Sequence, residues 1–331
     1  MKAVITGAGN VGKAVFNDLQ HVNMISEITL VGRNKKMIEA EVMDARDAAI
    51  LRTDYGPKLF SGGYEMTEGA DLIIYAAGSS KVKNDRMEML HDNCVIAGDI
   101  FNEVNRYNKD AIILCLTNPL DVITMKIQQV TGRDPHKVIG SGTLLESARL
   151  IRYVADLLEL SDKSVQISVV GEHGASAVAL LSSVRIMGLN LDDYMKSVTD
   201  NCLALNVNRL HEVFRKEGFR IFYGKGYTST GVSATVCRIA AAIAADSREI
   251  LPVSSVLQGE YGIRDVAVSV PSIIGKNGIE EIREVQMSDE ERAAFLASAN
   301  VVREYAKKVH LEVSPVKVST RYTRSPSSGT P

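Results

Sequence analysis

One histidine of the chain lies between two glycines, in Gly171-Glu172-His173-Gly174, directly after the β-branched run Val165 to Val170. The run predicts a buried strand, so His173 would stand at the end of a strand, where a ligand can reach it. Histidine changes its charge near pH 6.5 and can give or take a proton at neutral pH. A hydrogen-bonded structural histidine is the alternative, and proton transfer requires partners elsewhere in the chain.

A second pattern is the glycine motif Gly7-Ala8-Gly9-Asn10-Val11-Gly12. A short apolar run precedes it, a helix-like segment from Lys13 to His21 follows it, and a second apolar run lies at Ile28 to Val31. In this context the first glycine permits a tight turn and the second lets the backbone approach a pyrophosphate. The third lets the helix pack closely on the strand. The motif therefore predicts a dinucleotide site at a helix N-terminus.

Composition excludes several other classes of function. The 331 residues suffice for about two domains, and the net charge of −2 argues against nucleic acid as a main partner. No apolar run approaches the length of a membrane span, and no secretory leader pattern opens the chain. The four cysteines are scattered, which indicates reduced thiols of a cytoplasmic protein and no zinc site: Cys94, Cys115, Cys202 and Cys237.

Two further apolar runs, at Asp71 to Ala76 and Ala111 to Leu116, flank a helical stretch from about Asn84 to Tyr107. They end in the loops Gly78-Ser79-Ser80 and Thr117-Asn118-Pro119. Strands that alternate with helices predict an α/β fold with a doubly wound parallel sheet. Ligands of such sheets bind at the carboxyl ends of the strands, where these loops lie.

After Gly140 the pattern changes, which predicts a first domain at 1–140, a second at 141–315 and a flexible tail at 316–331. Helices are predicted at Thr143–Leu160, Leu191–Lys216, Gly231–Ile250 and Ser288–Lys308, and short strands at Val253–Leu257 and Val266–Val270. Ser288 and Glu291 have the spacing of a capping box.

Five motifs follow one another in a recognisable order: GAGNVG, TNPLDVIT, GSGTLLESAR, GEHG and KGYTS. Together they resemble the lactate/malate dehydrogenase family, especially bacterial L-lactate and L-2-hydroxyisocaproate dehydrogenases, over about residues 1–310. The resemblance implies a Rossmann domain joined to a mixed α/β catalytic domain. It also implies reduction of 2-keto acids with a nicotinamide cofactor by a dimer or tetramer.

The resemblance assigns roles to three residues around the reacting carbonyl. His173 would be the proton donor, and Arg149 would clamp the substrate carboxylate through two parallel hydrogen bonds. The family places an aspartate three residues before this arginine, to hold the histidine, whereas this chain has Glu146 there. The alternatives are an exposed helix charge at Glu146 and a simple surface ion pair with Arg149.

Four more site residues follow from the same resemblance. Arg86 would approach the carbonyl on a closing loop, although this loop is about one residue shorter than usual and lacks Lys-Pro-Gly. Asn118 would contact cofactor and substrate, with a turn residue before proline as the alternative. Thr228 in KGYTS would lie beside the substrate side chain, in the lactate-like form. Lys81 falls near the same position and would favour a second carboxylate, as in malate dehydrogenases, unless it points to solvent.

The cofactor-binding residues implied are the motif at 7–12, Gly78 and Asn118. The acid that usually ends the second strand and holds the ribose is missing, since the sequence there is Leu30-Val31-Gly32-Arg33-Asn34. An arginine in this place is expected where a 2′-phosphate is accepted. The resemblance implies NAD as the cofactor. Arg33 in place of the acid predicts that NADP is used better than by typical relatives.

The resulting prediction is a cytoplasmic L-2-hydroxy acid dehydrogenase, most similar to L-lactate dehydrogenase. Malate dehydrogenase and a branched-chain 2-hydroxyacid dehydrogenase are the alternatives, and a dinucleotide-binding structural oligomer is the alternative without catalysis. A short-chain reductase would need Tyr-x-x-x-Lys, and none of the 11 tyrosines has a lysine four residues later.

Overall fold

The computed structural model describes residues 1–52, 56–79, 86–197 and 207–313. In its first half, parallel strands lie side by side in the order β3-β2-β1-β4-β5-β6. This is the order of the dinucleotide-binding Rossmann fold, and it confirms the predicted doubly wound sheet. The strands are β1 (Lys2–Thr6), β2 (Glu27–Val31), β3 (Lys58–Gly62), β4 (Leu72–Tyr75), β5 (Ile112–Cys115) and β6 (Val138–Gly140).

Helices cover both faces of this sheet: α1 (Asn10–Leu19), α2 (Lys35–Arg52), α3 (Arg86–Val104) and α4 (Leu120–Thr131). Helix α1 buries Gly12, Val15, Phe16 and Leu19, the three- and four-residue spacing of a core-facing helix stripe. On the other face the rings of Tyr75 and Phe101 pack at 5.3 Å between centroids. The apolar strands therefore lie between two helical layers, which leaves their carboxyl ends for ligands.

The second half of the chain combines antiparallel strands with helices. Its helices are α5 (Leu144–Leu157), α6 (Leu191–Ser197), α7 (Val207–Lys225), α8 (Thr230–Ala244) and α9 (Asp289–Lys308). Its strands are β7 (Val165–Gln166), β8 (Val169–Val170), β9 (Val178–Ala179), β10 (Arg185–Ile186), β11 (Leu189–Asn190), β12 (Glu249–Gln258), β13 (Arg264–Gly275) and β14 (Gly278–Ile282). This confirms the predicted mixed α/β arrangement.

The antiparallel meander β12–β14 extends the parallel sheet, because Ser254 of β12 pairs with Gly140 of β6. One sheet of nine strands thus crosses the position proposed as the domain boundary. The limits at 1–140 and 141–315 stay predictions, and the predicted tail at 316–331 lies outside the described residues.

The prediction of one strand from Val165 to Val170 was wrong. β7 pairs with β10 and β8 pairs with β9, in two separate small sheets. The β-branched run bends at Ser168, whose carbonyl accepts the Leu180 backbone N–H. The consequence for the site is small, since β8 still leads directly into Gly171.

Two predicted helix ends were also wrong. The helix predicted to end at Ile250 stops at Ala244, because Asp246 and Arg248 adopt positive φ angles of 48° and 55° and turn the chain into β12. The helix predicted at Leu191–Lys216 corresponds to α6 and α7, and α7 continues to Lys225.

The capping box predicted for α9 was confirmed. Ser288 accepts the Glu291 backbone N–H and the Glu291 side chain accepts the Ser288 N–H, which completes the capping box of α9. Cys94 and Cys115 are buried free thiols and Cys237 is a half-buried one, while Cys202 lies outside the described residues. Among the described helices, none is long and apolar enough to cross a membrane.

Candidate active site

The turn between β1 and α1 requires its first and last glycines. Gly7 has a φ of +112°, and a Cβ there would lie 2.5 Å from the Ala77 nitrogen. A Cβ on Gly12 would lie 1.8 Å from the Gly7 carbonyl oxygen. Both positions therefore exclude any side chain, and the helix N-terminus can lie directly against the ends of β1 and β4.

Gly9 differs from its neighbours because a Cβ there would meet no described protein atom within 4 Å. Gly9 is also the N-cap of α1, where it provides no side chain to the free N–H groups, and the first turn holds no acidic residue. Gly9, Asn10 and Val11 line a cleft of about 850 Å³. Unpaired N–H groups and a positive helix end facing a cleft fit the pyrophosphate of a dinucleotide.

The far end of this cleft is lined by Gly32, Arg33, Asn34 and Tyr64. A Cβ on Gly32 would lie 3.0 Å from Ile38 Cγ2, so an acidic side chain there would require Ile38 to shift. Burial raises the pKa of the Tyr64 hydroxyl, and the charge of Arg33 partly opposes that shift. The end of β2 thus presents a cation where an acid would hold a ribose.

A short chain of hydrogen bonds leads from the cleft to the next strand end. Gly78 and Ser79 line the cleft, and the Ser79 N–H donates to Asn93 Oδ1 at 2.7 Å. Asn93 Nδ2 in turn donates to the Asn118 carbonyl at 2.7 Å. Asn118, whose side chain is exposed, therefore stands beside the cleft at the start of α4.

The acid–base cluster lies at the other side of that helix start. His173 Nδ1 faces Glu146 Oε2 at 3.4 Å, an ion-pair distance without hydrogen-bond geometry. Glu146 Oε1 lies 3.6 Å from Arg149 Nη1. The His173 backbone N–H donates to Asp121 Oδ2 at 2.8 Å. No described residue of this cluster lines the cleft itself, and α4, which begins between Asn118 and Asp121, connects the two.

Each charged group of the cluster shifts the pKa of its neighbour towards the charged form. Burial alone would lower the pKa of His173, but the negative charges of Glu146 and then Asp121 raise it to about 9. Burial would raise the pKa of Glu146, but His173 and Arg149 hold it below its ordinary value. At neutral pH the arrangement is therefore an imidazolium beside a carboxylate, a form that can donate a proton.

The two residues predicted to contact the substrate, Arg149 and Thr228, lie on or beside packed helices. Arg149 is only 11% exposed at its side chain, and a Cβ on Gly218 of α7 would lie 3.5 Å from Arg149 Nη1. The half-buried Thr228 lies just before α8. A Cβ on Gly231 of α8 would lie 3.0 Å from Leu145 Cδ1, so Thr228 stands close to the start of the helix that carries Glu146.

Two of the predicted site residues, Lys81 and Arg86, lie wholly or partly outside the described part of the chain. Lys81 and its loop, residues 80–85, lie outside the described residues. Arg86 is the first residue of α3, and its side chain lies outside the described part of the structure.

Sequence reasoning missed the groups that hold the histidine loop. Asp121 binds the backbone of His173, and the buried Glu172 accepts hydrogen bonds from the backbone and hydroxyl of Ser176. Ser298 of α9 accepts the Glu172 N–H. A signal for Asp121 was present, because it is an acid inside the otherwise apolar Leu-Asp-Val-Ile of TNPLDVIT.

Two family models match the chain, one in each half. A model for the NAD-binding domain of lactate/malate dehydrogenases matches residues 1–140, and a model for their α/β C-terminal domain matches residues 143–313. The chain belongs to the lactate/malate dehydrogenase family.

Several L-lactate dehydrogenases are similar to the chain over most of its length. An L-lactate dehydrogenase of Nitratidesulfovibrio vulgaris is 36% identical over 308 residues, which are 92% of this chain and 98% of the relative. An L-lactate dehydrogenase of Acetivibrio thermocellus is 34% identical over 307 residues, 92% and 96% of the two chains. The ligand-bound crystal structure of the minor L-lactate dehydrogenase of Enterococcus mundtii has a TM-score of 0.89 and 30% identity. The structural match covers 94% of this chain and 99% of the Enterococcus mundtii chain.

As a member of the lactate/malate dehydrogenase family the chain is an NAD-dependent 2-hydroxyacid dehydrogenase. Two of its residues depart from the family pattern described above. Glu146 reaches both His173 and Arg149, so the extra methylene has not removed the carboxylate from the site. Arg33 lines the cleft beside the end of β2, where the family pattern has an acid.

Proposed function

We propose that this protein is an L-lactate dehydrogenase-like enzyme that interconverts a monocarboxylic 2-keto acid and its L-2-hydroxy acid. The observation that carries the proposal is the cluster of His173, Glu146 and Arg149, which stands across the start of α4 from the dinucleotide cleft. A structural dinucleotide-binding protein has no use for a protonated histidine beside a buried carboxylate and a guanidinium.

The nicotinamide cofactor, when bound, supplies the hydride that adds to the carbonyl carbon of the substrate. His173 gives its proton to the carbonyl oxygen, and the two events together convert the ketone to an alcohol. Glu146 stabilises the imidazolium before transfer and holds the ring in one orientation, as an acid does for histidine in other catalytic pairs. In the oxidative direction the neutral imidazole takes the proton back.

Arg149 binds the substrate carboxylate and so fixes the keto carbon beside His173. Its guanidinium can donate two parallel hydrogen bonds, and its burial beside Gly218 restricts it to few orientations. Asn118 contacts both cofactor and substrate, and Arg86 stabilises the charge that develops on the carbonyl oxygen. His173, Glu146 and Arg149 are largely buried, and this limits the water that would otherwise screen their charges.

The substrate side chain would lie next to Thr228, whose hydroxyl and methyl suit a small uncharged group. This favours pyruvate or a larger monocarboxylic relative, including the branched-chain substrates. Malate dehydrogenase activity is the alternative that Lys81 favours, because a cation there would pair with a second carboxylate.

NADP use belongs to the same proposal. Arg33 and the neighbouring Lys35 and Lys36 are exposed near the end of β2, and no described ion pair engages them. A 2′-phosphate would supply the missing negative charge. NADPH should therefore be used better than typical relatives use it, and a kcat/KM with NADH that exceeds the NADPH value by a wide margin would remove this part.

We further infer a homo-oligomer, a dimer or a tetramer, in the cytoplasm. Its support is two exposed apolar helix faces, Met43, Ile50 and Leu51 on α2 and Phe219 and Tyr223 on α7, of the kind that marks protein interfaces. Sedimentation equilibrium tests this part, and a monomer at micromolar concentration would contradict it.

A substrate matrix tests the proposal as a whole. Initial rates are measured with pyruvate, 2-ketoisocaproate and oxaloacetate, each with NADH and with NADPH. The proposal predicts the highest kcat/KM with one of the two monocarboxylic acids. The highest kcat/KM with oxaloacetate would select malate, and no oxidation of either cofactor with any acid would remove the enzyme assignment.

A further inference from the structure

Asp121 is a buried carboxylate that binds the catalytic loop. It is 3% exposed and is the second residue of α4. Its Oδ2 accepts the backbone N–H of His173 at 2.8 Å, and its Oδ1 accepts the hydroxyl of Ser254 at 2.6 Å. One side chain thus joins α4, the loop that carries the proton donor, and the centre of β12.

We propose that Asp121 is a positioning residue of the acid–base site: its ionised carboxylate fixes the His173 backbone and adds a second negative charge that favours the imidazolium. Ser254 holds this carboxylate in place. The inference depends on the proton-donor role proposed above for His173, and it adds a group that acts through that histidine without touching substrate.

The surroundings of Asp121 make an ionised carboxylate useful there. No described lysine or arginine forms an ion pair with it, so its charge is balanced by hydrogen-bond donors and by the imidazolium. The other titratable groups facing the pair are Glu146 and Glu172, both acids, and the buried Cys115, whose pKa burial raises to about 12. Arg149 lies beyond Glu146.

The position of Asp121 also explains how it stays charged. Burial raises its pKa to about 6, while the Ser254 hydrogen bond and the charge of His173 hold the pKa down. The first turn of a helix further favours a negative charge. The carboxylate is therefore ionised at neutral pH and above, where His173 titrates.

The same helix start links proton donor and cofactor. Asn118 precedes α4 and is held by Asn93, which also binds the Ser79 backbone of the cleft. Asp121 follows three residues later and holds His173. The spacing between the cofactor-side asparagine and the proton donor is thus set by three residues of one helix N-terminus.

The decisive variant is Asp121→Asn, which removes the charge and keeps the shape. Its amide oxygen can accept the His173 N–H while its amide nitrogen donates to Ser254. The alkaline limb of kcat/KM for keto-acid reduction should move down by roughly one pH unit, because an opposite charge nearby shifts a pKa by about that much or more. At pH 9 this corresponds to about a fivefold lower kcat/KM. A limb that stays in place in the folded variant would overturn the proposal.

Ser254→Ala is the matched control. It removes a hydrogen bond from Asp121 but leaves the carboxylate, which is still ionised in the pH range of the alkaline limb. This variant should keep the wild-type limb. A downward shift equal to that of Asp121→Asn would show that packing, and not charge, sets the limb, and would contradict the proposal.

A second measurement needs neither a folded variant nor activity. In wild-type protein labelled with ¹⁵N-histidine, the His173 amide proton should shift with a midpoint near pH 6, as Asp121 ionises. An amide signal that is flat between pH 5 and 7 would refute the coupling. If the keto-acid matrix fails while this titration is seen, the proposed function is wrong and the Asp121 contact stands.

Discussion

Removal of the Glu146 charge should lower the proton affinity of His173 more than any other single change. The pKa of His173 is raised from 6.5 to about 9, which corresponds to about 3 kcal/mol in favour of the imidazolium. Glu146 is the largest of the groups that raise this pKa. In Glu146→Gln, burial would oppose the charged ring, and only Asp121 and the backbone hydrogen bond with Gly142 would remain to offset it.

The expected result is an alkaline limb of kcat/KM about two pH units lower than in the wild type. At pH 8 the protonated fraction of His173 would fall from about nine-tenths to about one-tenth, which gives about a tenfold loss of kcat/KM. The assay follows NADH oxidation between pH 5.5 and 10. At each pH the concentration of the preferred keto acid is varied from well below to well above its KM.

Glu146→Asp is the control, because it restores the family residue and retains the charge. The alkaline limb of kcat/KM in Glu146→Asp should lie much closer to the wild-type pH than the limb of Glu146→Gln does. A Glu146→Gln limb that remained near pH 9 would refute the view that this carboxylate sets the state of His173.

Three further outcomes are expected. Arg149→Lys replaces a planar fork with a point charge and should raise the KM of the keto acid about tenfold or more in steady-state assays, whereas an unchanged KM would contradict the clamp. Ser288→Ala removes the cap of α9 and should lower the free energy of unfolding in urea by about 1 kcal/mol with kcat unchanged; a loss of activity without a loss of stability would be against it. Because the folded-state pKa of His173 is raised, its contribution of about 3 kcal/mol is full below pH 6.5 and is lost as pH rises towards about 9; a His173→Gln variant with the same decline in stability over that range would exclude this source.

The parts of the fold that the sequence predicted are those with strong local signals. The alternation of apolar runs with helices gave the parallel sheet, and GAGNVG gave the turn in which Gly7 and Gly12 leave no room for a Cβ. Ser288 and Glu291 gave the start of α9. Each of these features is decided by residues close together in the chain.

The parts that were missed depend on partners far away in the chain. The run Val165–Val170 is rich in β-branched residues, and its pairing with two different strands, β10 and β9, divides it. The strand β3 (Lys58–Gly62) has few buried side chains to mark it. Asp121 is 52 residues from His173 and 133 from Ser254, so its hydrogen bonds could not be predicted from residues that are neighbours in the chain.

Turnover by His173→Asn tests the central claim most directly. The variant is compared with wild type in NADH oxidation with the preferred keto acid at pH 7.5, and cofactor binding is measured in parallel by fluorescence. The account predicts a loss of kcat of at least about a hundredfold, the share typical of general acid catalysis, with the Kd for NADH unchanged. An asparagine variant that turned over at the wild-type rate would contradict it.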